Sequence, residues 1–285
     1  MNATAANRTV AAATSVASRP APRSPGAARR LRRWLLLLGV GLLLLGTREA
    51  AALDRYEGLA YAADDGELAY REIHWRYQDR GRPARLVVYR CPNGQPFARK
   101  RVWATASATA PNFEFVDGRD GYREGVRGVG ARRQVYWQAQ RDDPVAQRTL
   151  DFGANAVVDA GFDALVHEQW TALRAGDAVE AAFLLPSRQD FLAVGIERIG
   201  GDDARTRLRM SLDAWYGFVA PQTELVYRNR DRWLLQFEGI GSIRDADGDH
   251  LPVRIEFPPG RLTDEVGRAD LETAATLPLV DRCDG

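Results

Sequence analysis

The feature that most limits the fold is a period of two. From Leu53 onward the chain is a succession of short alternating segments separated by turn residues. Such a pattern reads as half-buried strands joined by tight connections. Segments 55–62 and 67–77 flank Ala63-Asp64-Asp65-Gly66, and an Asp-Gly turn between alternating runs predicts a hairpin. Segments 85–90 and 97–103 flank Pro92-Asn93-Gly94-Gln95-Pro96, a second hairpin. Strands follow at 112–116, 122–127 and 132–140, then at 178–185, 190–199, 206–212, 224–228, 233–238 and 250–257. A helical turn is expected at 214–219 and an irregular tail over 258–285. No composition break divides 53–257, so one domain is expected.

One stretch departs from that period. In 159–174, Phe162, Leu165, Val166, Trp170 and Leu173 recur at three- and four-residue steps, with Asp159 placed as an N-cap and Gly176 as a stop. The expectation is mainly β: a large curved antiparallel sheet of about twelve strands, half-barrel-like, packed on one central amphipathic helix.

The first 52 residues are of another kind. Arg29-Arg30-Leu31-Arg32-Arg33 precedes thirteen uncharged residues, Trp34 to Gly46, and then Ala50-x-Ala52. A basic segment, a short Leu-rich core and small residues spaced A-x-A predict a signal peptide cleaved before Leu53, and hence a periplasmic or secreted protein. The alternative is a retained anchor. Thirteen helical residues span about 20 Å of a roughly 30 Å hydrocarbon layer, which disfavours it and leaves no transmembrane helix after cleavage.

Of 39 basic and 38 acidic groups in the whole chain, the leader holds eight Arg and one Glu, so residues 53–285 carry 31 and 37, a net charge of −6. A surface of that sign excludes phosphate-backbone binding as the main task, so no nucleic-acid partner is expected. Lys100 is the only lysine. Two cysteines, Cys91 and Cys283, lie far apart and outside any C-x-x-C pair. In an exported chain they are expected to form one disulfide.

No motif assigns a reaction. There is no G-x-S-x-G elbow, no H-E-x-x-H and no phosphate- or dinucleotide-binding glycine loop, so no cofactor and no metal are expected. Asp245-Ala246-Asp247-Gly248-Asp249 and Glu256 have partial calcium-loop spacing. However, position six is His250, and Leu251, Val253, Ile255 and Phe257 alternate as a strand, so a hairpin turn is expected. With the first hairpin centred on Asp64-Asp65, Tyr70 falls opposite Leu59, Glu72 opposite Glu57 and His74 opposite Arg55. Glu57, Glu72 and His74 would then share a face as a weak acid–base candidate, which a slip of one residue would disperse. Pro186-Ser187-Arg188-Gln189-Asp190 is either a plain hairpin turn or an anion- or partner-binding loop. Ser187, Arg188 and Asp190, with Trp170 on the helix, are the candidate ligand or partner residues.

Phe162-Asp163-x-Leu165-Val166-x-x-x-Trp170-x-x-Leu173, Pro186-Ser187-Arg188-x-Asp190, Tyr227, Phe237-Glu238-Gly239 and Asp245-Ala246-Asp247-Gly248 together resemble exported β-rich proteins of Gram-negative bacteria. That family carries no activity to transfer, and the resemblance covers residues 55–257. More distantly, a curved sheet around a helix is similar to the periplasmic lipoprotein-carrier half-barrels, an analogy of fold alone. The function expected is non-enzymatic binding of an apolar ligand (a lipid or acyl chain) or an envelope-protein segment on the concave face. An envelope hydrolase using Glu57, Glu72 and His74, and a structural assembly factor, are the alternatives.

Overall fold

A computed structural model describes residues 53–212, 222–264 and 266–283. The expected leader and the expected turn at 214–219 lie outside the described residues. The outward meander consists of β1 (Asp54–Ala62), β2 (Leu68–Asp79), β3 (Arg82–Arg90), β4 (Pro96–Trp103), β5 (Asn112–Asp117), β6 (Arg123–Arg127), β7 (Arg132–Gln138) and β8 (Ala146–Asp151). The return consists of β9 (Ala156–Val157), β10 (Val179–Leu185), β11 (Asp190–Gly201), β12 (Arg205–Leu212), β13 (Thr223–Arg228), β14 (Trp233–Arg244) and β15 (His250–Glu256).

All fifteen belong to one sheet in the order β8-β7-β6-β5-β4-β3-β2-β1-β15-β14-β13-β12-β11-β10-β9. The chain starts mid-sheet, runs out to one edge, and returns from the other until β15 pairs with β1, Ala60 opposite Ile255. Every pairing is antiparallel except β9 with β10. Two strands exceed expectation. β8 is exposed along most of its length and carries Gln147, Arg148 and Thr149, so its sequence shows no apolar alternation. β9 is two residues long and below the reach of any periodicity.

The expected half-barrel around one central helix needs correction. The sheet is open, with β8 and β9 as unpaired edges. The expected helix 159–174 is a 3₁₀ turn at Asp159–Gly161 followed by α1 (Phe162–Glu168) and α2 (Trp170–Ala175), separated at Gln169 (φ −95°, ψ 10°). Gly176, at φ 96°, ends α2 in the left-handed region, as a helix-stopping glycine should.

The stripe itself is placed as expected. Leu165, Val166, Trp170 and Leu173 are buried with Ala181, Val194, Ile196, Leu208, Leu225 and Tyr227, and Phe162 packs against the same cluster. Glu168 and Arg174 are exposed, whereas Asp163 is half-buried and accepts the Tyr227 hydroxyl at 3.1 Å. Through the registers Leu208–Leu225, Leu225–Phe237, Phe237–Ile255 and Ile255–Ala60, this face of β12 and β13 is continuous with the face of β2 that bears Tyr70. We call it the core face.

Strands distant in the order also touch. The Arg119 guanidinium, between β5 and β6, donates to the carbonyl of Arg244 at the end of β14 at 2.8 Å, and Arg244 donates to the Ala139 carbonyl at 2.8 Å. The outer face of β2 and β3 bears Ile73, Trp75, Leu86 and Val88 and is covered by α3 (Arg268–Thr276) through Leu271 and Ala274. The expected irregular tail therefore contains a helix. Its aperiodic sequence hid it, because only two of its nine residues are buried. Beyond α3, Cys283 is joined to Cys91 in a disulfide, with Cα atoms 5.5 Å apart.

Candidate functional site

Alternation along β2 sends Tyr70, Glu72 and His74 to the core face and Arg71, Ile73 and Trp75 to the other. The pairing with β1 is slipped by one from the sequence expectation: His74 lies opposite Tyr56, Ile73 opposite Glu57 and Glu72 opposite Gly58. The expected three-residue cluster is thereby dispersed. Glu57 is on the outer face, where it accepts from Arg71 at 3.1 Å and from Arg261. Partial burial raises its pKa, but the two arginine bonds outweigh that and hold it below the ordinary value. The slip arises at the turn, where the register shifts between Ala60 and Tyr61, an irregularity a turn motif does not announce.

Glu72 and His74 remain together. Their side chains meet at 2.9 Å through Nε2, both residues are buried, and the Tyr56 ring stacks on the imidazole at 4.4 Å. Burial lowers the His74 pKa despite the neighbouring carboxylate, so the imidazole is neutral near pH 7. With Nε2 donating to Glu72, Nδ1 is left as an acceptor, and among the described residues it has no hydrogen-bond partner; nor has the buried Tyr70 hydroxyl.

The centre of the core face is a group that the sequence reading passed over. Lys100, on β4, donates to Asp159 Oδ2 at 2.5 Å and to Ser242 Oγ on β14 at 3.0 Å, and lies 5.6 Å from the Phe115 ring centroid. Asp159 is therefore not the N-cap it was expected to be. It makes no capping bond, and its carboxylate turns to the lysine instead. The two partners differ in access: the Lys100 side chain is 4% exposed and that of Asp159 53%. Yet desolvation is the largest influence on Asp159 and opposes its ionisation; Lys100, then Arg85 and His250, outweigh it and lower the pKa. The carboxylate is thus crowded by protein while its side chain stays open to solvent. Tyr70 and Tyr89, whose phenols desolvation raises well above the ordinary value, feel the Asp159 charge. Glu124, raised by burial, accepts the Tyr122 hydroxyl at 2.7 Å.

A Ser–Lys pair activates a nucleophile when the amine can take the hydroxyl proton. Here Lys100 is ion-paired to Asp159 and donates to Ser242 Oγ. Among the described residues no group of three or more His, Cys, Asp or Glu side chains is placed to hold a metal.

The remaining candidates are scattered. Trp170 is buried, edge-on to Tyr227 at 5.8 Å and under the Arg232 guanidinium at 5.9 Å. Ser187, Arg188 and Asp190 are exposed at the β10–β11 turn, where Asp190 accepts the Phe191 amide at 2.8 Å. No hydrogen bond or ring contact joins them to Trp170 among the described residues. Asp245 accepts the amides of Asp247 and Asp249, both at 2.9 Å, as a hairpin turn does, and Glu256 pairs with Arg254 on β15. Lys100 had one sequence signal, its being the only lysine. Asp159 had none beyond its place before the helix.

No protein-family model matches the chain, and no curated protein matches it.

Proposed function

We propose that this is an exported, non-enzymatic binding protein of the periplasm that holds an apolar ligand, a lipid or acyl chain, on the core face with the ligand's polar end at Asp159. The observation that carries this reading is the unequal access of the Lys100–Asp159 pair. A buried ammonium fixes a carboxylate that stays more than half open among buried tyrosines. Ligand sites are commonly apolar surfaces with a few placed polar groups. Half-buried apolar side chains extend the same face: Tyr56, Phe183, Met210, Leu212, Leu234 and Phe237. The resemblance to exported β-rich proteins, and the Ala50-x-Ala52 site after an apolar run, support the compartment.

The hydrolase alternative loses its third group, because Glu57 faces away. It is left with Glu72 and His74, both only 7% exposed.

Native mass spectrometry of protein taken gently from the periplasm tests the reading. The expected result is an adduct of lipid mass on the wild type that is depleted in Phe237→Arg. A clean protein mass for the wild type under conditions that preserve its fold would overturn it. A peptide-mass adduct would do the same, by making an envelope-protein segment the occupant.

A further inference from the structure

The outer face carries charge of a different kind. Between β1–β3 and α3 lies a recess of about 300 Å³ lined by Arg55, Arg71 and Arg90, with Ile73, Trp75 and Thr273 among its walls. Arg71 and Arg90 are direct cross-strand partners, an arrangement that like charges disfavour. Two acids also line the recess: Glu57, which is paired with Arg71 and Arg261, and Asp270, which accepts the Trp75 indole at 2.8 Å. Among the described residues neither Arg55 nor Arg90 has an ion-pair partner. Arg55 lies over the Trp75 ring at 5.7 Å, and Arg90 donates to the Gly94 carbonyl at 2.8 Å. We propose that this recess binds a phosphate group, its oxygens taken by Arg55 and Arg90 with Arg71 at the side.

Guanidinium forks suit phosphate oxygens, and two or more converging from different strands fit a tetrahedral anion better than a planar carboxylate, which one fork saturates. Burial, and then the Arg55 charge, hold the Arg90 pKa below its ordinary value against the opposing charge of Asp270. Because residues 53–285 carry a net charge of −6, attraction at this recess is local and not a property of the whole surface. The phosphate could belong to a small soluble compound or to a phosphodiester lipid headgroup. The recess is on the face opposite the proposed apolar site, so the proposal stands independently of that function.

Two arms separate the sources. In the first, inorganic phosphate is titrated into the protein and followed by phosphorus NMR. In the second, the protein is co-sedimented with phosphatidylglycerol or phosphatidylcholine vesicles. Saturable binding in the first arm, weakened at least tenfold by Arg55→Gln and by Arg90→Gln, assigns a soluble phosphate. Binding to phosphatidylglycerol vesicles alone, with the same loss, assigns a headgroup. Arg148→Gln, exposed on the edge strand β8, is the control and should leave binding unchanged, while thermal melts confirm that each variant is folded. Absence of saturable binding in both arms, or binding indifferent to both recess variants, overturns the proposal.

Discussion

Two helical covers lie on opposite faces of this sheet and are attached by different means. The α1–α2 pair is held by an apolar stripe, Leu165, Val166, Trp170 and Leu173, seated on β10–β13. The tail helix α3 buries only Leu271 and Ala274. Beyond the partly buried Val266 and Ala275, which pack on the same cluster, its attachments are polar or covalent: Arg101 to the Ala275 carbonyl at 2.7 Å, Arg99 to the Leu277 carbonyl, Trp75 to Asp270, the backbone pair of Arg55 with Thr263, and the Cys91–Cys283 bond. One cover is stabilised by burial and would survive loss of any single bond. The other is a strap whose hold depends on its fastened end.

The sharpest way to break that contrast is to unfasten the strap. The disulfide spans 192 residues. In the chain-entropy model closing such a loop is worth about 5 kcal/mol, an upper figure because long-loop gains are often smaller. Cys283→Ser is expected to lower stability toward that value in urea melts and to speed amide exchange in 268–276, leaving 162–175 protected. A loss below about 1 kcal/mol with slow exchange in α3 would show that polar bonds alone hold it.

Next in size is the stripe. Trp170→Ala should cost about 3–5 kcal/mol, the usual range for emptying a buried tryptophan site, and should loosen 162–175 without touching α3. A loss under about 1 kcal/mol would mean the pair is not held by burial.

Legibility in the sequence follows the same division. Strands with one buried face, such as β5 and β13, and the 162/165/166/170/173 stripe leave a period that can be read. The strap leaves none, since an arginine reaching a carbonyl imposes no spacing on its neighbours. The register of β1 on β2 was unreadable for a related reason: one bulge beside Ala60 moves Glu57 to the opposite face while every alternation stays intact. Of the site, Glu72 and His74 could be found from their i, i+2 spacing. Lys100 with Asp159 could not, because the two are 59 residues apart and meet only when the segment after β9 passes β4.

A smaller effect is expected at the ion pair. Asp159→Asn leaves the Lys100 ammonium buried without its counter-charge, which for a fully buried pair costs about 3–5 kcal/mol. With Asp159 half open to water, about 1–3 kcal/mol is expected. An unchanged denaturation midpoint would show that the pair contributes nothing to the fold.

The smallest effect is a pH dependence. The folded-state His74 pKa lies below the ordinary value of about 6.5, so just below that pH the unfolded chain binds a proton that the fold does not. The stability linked to His74 is therefore full above about pH 6.5 and is lost as pH falls toward the folded pKa. Glu72 opposes the shift, while Arg85 and Lys100 add to it. His250, also lowered, contributes with the same sign. His74→Phe should make thermal stability between pH 7.5 and 5.5 less steep than in the wild type. An equal or steeper decline would contradict a neutral buried imidazole.

The central claim is that the core face, and not the strapped outer face, takes an apolar ligand beside Asp159. A fluorescence titration with the neutral dye N-phenylnaphthylamine tests it most directly, using wild type, Phe237→Arg and Cys283→Ser. The account predicts saturable one-to-one binding to the wild type, abolished by Phe237→Arg in a folded variant and retained by Cys283→Ser. Binding that survives Phe237→Arg, or that first arises when Cys283→Ser frees the strap, would contradict it.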